Sequence, residues 1–145
     1  MEFDGKMLAY CGLYCTQCSL VVAHDTNSRE HVLRTPFESL KQVDLSELAC
    51  PGCKAEDSLC VNCDIRVCAV QNGMDCCADC EDFPCEKTLA FRNDGKHYHL
   101  QAFESLEKIK RVGRENWFND YKKNLYCHCG ERSSWYCACP VHAPE

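Results

Sequence analysis

Cys60-Val-Asn-Cys63-Asp-Ile-Arg-Val-Cys68 is followed, 17 residues further on, by Cys77-Ala-Asp-Cys80-Glu-Asp-Phe-Pro-Cys85. Both copies read C-x-x-C-[DE]-x-x-x-C. A C-x-x-C turn aims two sulfurs at one point, as a tetrahedral ion with metal–sulfur bonds of about 2.3 Å requires. Residues 50–85 carry nine cysteines and few large apolar side chains. Hydrophobic burial alone cannot hold such a segment, so metal binding must supply much of its folding free energy. The repeat predicts two similar metal-binding turns related by pseudo-symmetry.

The same spacing extends outward. Cys15/Cys18 and Cys50/Cys53 bring the number of C-x-x-C pairs to four, and Cys127/Cys129 and Cys137/Cys139 are two C-x-C pairs. Cys11, Cys68, Cys76 and Cys85 are single. Sixteen cysteines in 145 residues would suit a disulfide framework if the protein were secreted. The run Met1 to Tyr10, however, has an acid near its front and no long apolar segment, unlike a signal peptide. Disulfides also have no reason to prefer six close pairs. Metal in a reducing cytoplasm is the expectation. No apolar run is long enough for a membrane span. The formal net charge is −6, and a zinc held by four thiolates adds about −2 more. That balance disfavours nucleic acid and anionic membranes as partners and leaves another protein as the expected one.

Around the cysteines the periodicity is helical. Ser19 to Ala23 begins a helix, and a second is predicted over 28–43, where Leu33, Phe37 and Leu40 recur at i, i+4 and i+7 despite Pro36. Asp44 and Glu47 open a short turn before Cys50. A short helix holding Leu89 and Phe91 ends near Asn93-Asp94-Gly95. Leu100, Phe103, Leu106 and Ile109 predict about four inward-packing turns, which Gly113 breaks before Trp117, Phe118 and Tyr121 continue as a shorter helix. These aromatics read as core, not as a base-stacking platform. Lys108, Lys110, Arg111 and Arg114 are interleaved with acids and read as a solvated face. In 124–145, side-chain alternation along two C-x-C strands would place Cys127, Cys129, Cys137 and Cys139 on one side of a hairpin. That geometry predicts a one-metal ribbon, with His128 pointing away and His142 as a substitute ligand.

The segments Ala9-Tyr-Cys-Gly-Leu-Tyr-Cys-Thr-Gln-Cys18, Cys50-Pro-Gly-Cys-Lys54, Cys60 to Ala69 and Cys77 to Lys87, in this order and spacing, resemble the bacterial and archaeal family called domain of unknown function 3795, over about residues 8–91. The resemblance implies zinc binding and no assigned activity. Its cysteines carry over as Cys11, Cys15, Cys18, Cys50, Cys53, Cys60, Cys63, Cys68, Cys77, Cys80 and Cys85. Cys76 stands where the family shows no cysteine. The C-terminal ribbon rests on spacing alone.

Eleven body cysteines fall one short of three four-ligand sites, so Cys76, a histidine or solvent must complete the set. One grouping joins Cys60, Cys63, Cys77 and Cys80, and a second joins Cys15, Cys18, Cys50 and Cys53. Cys11, Cys68 and Cys85 remain, unless Cys68 and Cys85 exchange between the two knuckles. Spacing does not choose. A closed four-thiolate zinc is structural, whereas the three-thiolate set has room for a corner of an iron–sulfur cluster. Cys11-x₃-Cys15-x₂-Cys18 matches the spacing of radical S-adenosylmethionine enzymes, but the chain is too short for their barrel and Gln17 replaces the usual aromatic. Cys50-Pro-Gly-Cys53 lacks the strand–helix setting of a thiol oxidoreductase. No Ser-His-Asp arrangement, phosphate-binding glycine loop or H-E-x-x-H helix is present, and His97 and His99 fall on different faces of a helix. The expectation is an α+β protein, mostly helical, with irregular cysteine-rich knuckles over 1–123 and a zinc-ribbon-like β-hairpin over 124–145. It would hold three to four structural zinc ions and act as a binding or adaptor module. An iron–sulfur redox protein is the alternative, and metal or thiol buffering, with readily exchanging metal, is a third reading.

Overall fold

The computed structural model describes residues 2–48, 50–56 and 63–142. Among these residues there are six α-helices: α1 (Ser19–Thr26), α2 (Glu30–Leu33), α3 (Asp64–Gln71), α4 (Glu86–Arg92), α5 (His97–Val112) and α6 (Arg114–Tyr121). Short 3-10 turns lie between them. The centre of the molecule is α5, whose buried side chains Tyr98, Ala102, Phe103, Ser105, Leu106 and Ile109 fall on one stripe. Burying a Phe, Leu or Ile of this kind stabilises by about 1.5–3 kcal/mol. Leu100, expected inside, is 42 % exposed, because the buried stripe runs through 98, 102, 105 and 109 instead. Gly113, at φ 88°, ends α5 and turns the chain into α6.

Sulfur and aromatic rings share the main core. Leu8, Tyr14, Phe83, Phe103, Leu106, Trp117 and Phe118 pack with Cys11, Cys15, Cys53, Cys76 and Cys77. Tyr14 sits among Phe3, Trp117, Phe118 and Tyr121, with ring centroids 5.4–6.2 Å from its own. The knuckle from Cys11 to Cys15 lies against α5 only because Gly12 has no side chain. A Cβ at Gly12, where φ is +97°, would lie 2.3 Å from the Ala102 carbonyl oxygen and 2.7 Å from Leu106 Cγ. A second, smaller core joins Ala23 of α1, Val32 of α2 and Leu48.

The α+β expectation is overturned. Among the described residues there is no sheet, only the isolated bridges Leu8–Tyr14, Tyr126–Arg132 and Ser134–Cys137. The tail's own pairing goes no further than the Tyr126–Arg132 bridge, flanked by the Ser133 N–H to Leu125 carbonyl bond (2.9 Å) and the Cys127 N–H to Glu131 carbonyl bond (2.8 Å). Beyond it the backbone is engaged elsewhere: the Trp135 N–H donates to the Gln17 carbonyl (3.2 Å). Side chains complete the docking. Trp135 stacks flat on Tyr98 of α5, with centroids 4.4 Å apart, and Ser134 Oγ lies 2.8 Å from Nδ1 of buried His31. Burial, then the Arg132 charge, holds His31 below the usual imidazole pKa, so its neutral form packs here.

Two further expectations change. The helix read over 28–43 is broken into α2 and a 3-10 turn at Glu38–Gln42. Pro36 removes an N–H and disfavours helix at Thr35, whose hydroxyl instead donates to the Val32 carbonyl. His31 and Val32 turn inward, while Leu33 is 45 % exposed. The two repeat copies also fold differently. After Cys63 the chain enters α3, which carries Cys68 on its body. After Cys80 it makes a turn through Pro84, and Cys85 stands at the N-cap of α4.

Candidate metal centre

In the tail, four donor atoms come together. The Sγ atoms of Cys127, Cys129 and Cys139 and a ring nitrogen of His142 all lie within 4.8 Å of one another. Local chain chemistry builds this group. Gly130, at φ +94°, makes the turn after Cys127-His-Cys129, with the Gly130 N–H donating to the Cys127 carbonyl (2.9 Å) and the Cys127 N–H to the Glu131 carbonyl (2.8 Å). Opposite it, Cys139-Pro-Val-His142 is a C-x-x-H turn.

The distances suit a tetrahedral ion. With bonds of about 2.3 Å to sulfur and 2.05 Å to nitrogen, tetrahedral edges are about 3.8 Å for S–S and about 3.6 Å for S–N. Cys129 and Cys139 sulfurs are 3.6 Å apart, and His142 Nδ1 lies 3.5 Å from the sulfurs of both Cys127 and Cys139. The electrostatics are uneven: despite a backbone hydrogen bond at Glu131, burial and the Cys139 and Cys127 thiols raise the Cys129 pKa. Burial opposes ionisation of Cys139, but the backbone N–H groups of His142 and Val141, with the Cys129 and His142 side chains, bring its thiol down to about 6. Contacts with Cys127 and Cys139 raise the His142 pKa. A cation can take the place of the His142 proton, and three thiolates with one imidazole are a zinc donor set.

Cys137, expected as the fourth ribbon ligand, lies elsewhere. It is 1 % exposed, and burial raises its thiol pKa. His142 completes the group instead, and the C-x-x-H spacing was its sequence signal. His128 does not point away: its Nδ1 is 3.5 Å from the Cys127 sulfur, and its ring stacks on that of His142 with centroids 4.9 Å apart.

The body cysteines are more deeply packed. Burial raises the Cys11 thiol well above its usual pKa, opposed by a backbone hydrogen bond at Leu13 and reinforced by the thiols of Cys53, Cys63 and Cys15. Cys15 is pushed up to about 12 by burial, with Cys18, Cys53 and Cys50 as like-charged neighbours, and its sulfur accepts the Cys53 N–H at 3.4 Å. Cys77 is also pushed up to about 12, by burial and then by Cys76, Cys85, Cys68 and Cys80. Cys68 and Cys85 therefore both face the Cys77/Cys80 turn. Cys85 is held low despite burial by hydrogen bonds from Thr88 and Lys87. Cys76 is fully buried, with the Arg114 guanidinium 3.2 Å from its sulfur. Cys60 lies outside the described residues. No disulfide joins any described cysteine.

No helix among the described residues is long and apolar enough to cross a membrane. No curated protein and no solved structure matches the chain. The family model described as protein of unknown function (DUF3795) matches residues 7–90, from the Cys11 knuckle through Cys85 and α4, and stops well short of the tail group. Since that match covers more than half of the 145 residues, the chain belongs to the DUF3795 family.

Proposed function

We propose that the protein is a multi-zinc binding module, in which zinc ions clamp the cysteine-rich body, a further zinc closes the C-terminal tail, and the folded surface engages another protein in the cytoplasm. The convergence of Cys127, Cys129, Cys139 and His142 within 4.8 Å carries this reading. Three thiolates and one imidazole fill a tetrahedral shell, the arrangement of a structural zinc site. In the body, Cys15 has Cys18, Cys50 and Cys53 as like-charged neighbours and Cys77 has Cys68, Cys80 and Cys85, which supports further thiolate sites there, although among the described residues only the tail donors lie mutually within 4.8 Å. The exposed Val67 and Val70 on α3, 43 % and 56 % accessible, offer apolar surface to a protein partner. The net charge of −6 argues against nucleic acid.

Elemental analysis of anaerobically purified protein, with its visible spectrum, tests the reading. Three or four zinc per chain and no visible absorbance are expected, and the variant C129S/C139S should hold one zinc fewer. Iron with acid-labile sulfide would replace structural zinc in the body with a redox cluster.

A further inference from the structure

The tail group has a fifth donor. His128 Nδ1 is 3.5 Å from the Cys127 sulfur, and its ring is stacked against His142, yet it stands outside the set whose atoms are mutually within 4.8 Å. An unused imidazole beside a filled tetrahedral shell is an incoming ligand. The outgoing one is also at hand: His142 is exposed, and Cys129 is exposed as well, so one side of the group meets solvent.

That side opens onto a cleft of about 510 Å³ whose wall includes Cys127, Cys139 and His142. Lys123 and His97 line it too, and none of its lining residues is Asp or Glu, although the chain carries 22 such acids. The cleft between α3 and α4 that borders Cys68, Cys80 and Cys85 is strongly acidic, lined by Asp79, Glu81, Asp82 and Glu86 against the single base Lys87. Zinc with three thiolates leaves about −1, which Lys123 faces across the first cleft, so an anionic acceptor is repelled more from the second cleft than from the first.

We propose that the tail group is a metal-exchange site, which passes zinc through this cleft to an anionic acceptor bearing thiolate or carboxylate donors. This rests on the zinc reading above. In the exchange the bond from zinc to His128 forms as the bond to His142 breaks. A neutral imidazole replaces a neutral imidazole, so no proton or electron changes hands. The acceptor's donors then replace the protein ligands one by one, and the thiolates left behind take up protons from solvent.

The test is stopped-flow mixing of the zinc-loaded full chain, under reducing conditions, with excess 4-(2-pyridylazo)resorcinol, an anionic chromogenic chelator. One zinc equivalent should leave in a fast phase that is missing from C129S/C139S. H128F should slow that phase at least tenfold while elemental analysis shows the same total zinc. H128N, also without an imidazole, is run beside it as a second variant and should behave alike. Unchanged release rates in H128F and H128N would overturn the proposal. If C129S/C139S instead loads as much zinc as the parent chain, the tail zinc site itself fails, and the exchange proposal with it.

Discussion

The body and the tail both gather thiols, but they gather them in opposite surroundings. In the body, Cys11, Cys15 and Cys77 are inside the hydrophobic core, and burial pushes their thiols up, to about 12 for the latter two. In the tail, Cys129 and His142 are exposed, and Cys139 is held down to about 6. A buried thiol with a high pKa stays protonated at neutral pH, so an ion bound there must expel protons and repay desolvation. Once bound, it is inseparable from the packing around it. In the tail the Cys139 thiol ionises more readily, and the segment is already docked by Trp135 on Tyr98 and by Ser134 against His31. The same donor chemistry is thus a foundation in one region and an addition in the other.

Replacing one ligand in each region gives the sharpest break. C77S should abolish cooperative unfolding, or cost more than about 5 kcal/mol, since a structural zinc contributes about 10–16 kcal/mol in zinc-finger peptides. C129S should cost only about 1–2 kcal/mol, because the tail keeps its docking contacts. Denaturant titration followed by circular dichroism measures both, and equal losses would erase the distinction. G12A comes next. Its Cβ would collide with the Ala102 backbone at a position with φ +97°, at a cost of about 2–4 kcal/mol. A smaller change would mean that the Cys11 knuckle can lift from α5. The smallest effect is expected at Cys137. C137A should cost about 1 kcal/mol for the lost packing and leave the zinc content unchanged, whereas C139A should lose one equivalent. Loss of zinc from C137A would return Cys137 to the ligand set.

Helices with a clean apolar stripe were legible in the sequence. The one over His97–Val112, its stop at Gly113 and the short helix after it form where the periodicity places them, although Leu100 faces solvent and Tyr98 and Ala102 take the inward positions. Pro36 was visible as a hazard, and the chain does break there. The tail misled because alternation describes where side chains point only if a strand forms, and strands need partners for their backbone. Here the pairing ends once Ser133 has met Leu125, and Trp135 bonds to Gln17 instead, a tertiary choice that no local pattern records. The repeat misled for a related reason. Its cysteine spacing is identical in both copies, but Asp-Ile-Arg-Val continues into a helix, whereas Glu-Asp-Phe-Pro cannot. His142 was readable from C-x-x-H spacing. The displacement of Cys137 into the core was not, since C-x-C alone does not say which sulfur faces the ion.

Helix α5 touches both regions within a single turn. Gly12 of the first knuckle rests on Ala102, and Trp135 of the tail rests on Tyr98, four residues apart and so about 6 Å along the axis. A helix is a stiff ruler over that length. The two regions, which also meet directly where Trp135 and Arg132 bond to the Gln17 and Thr16 carbonyls, are therefore gauged against one another along this helix, and a residue inserted between Tyr98 and Ala102 would rotate one seat by about 100° relative to the other. This turn leaves little room for a change of length.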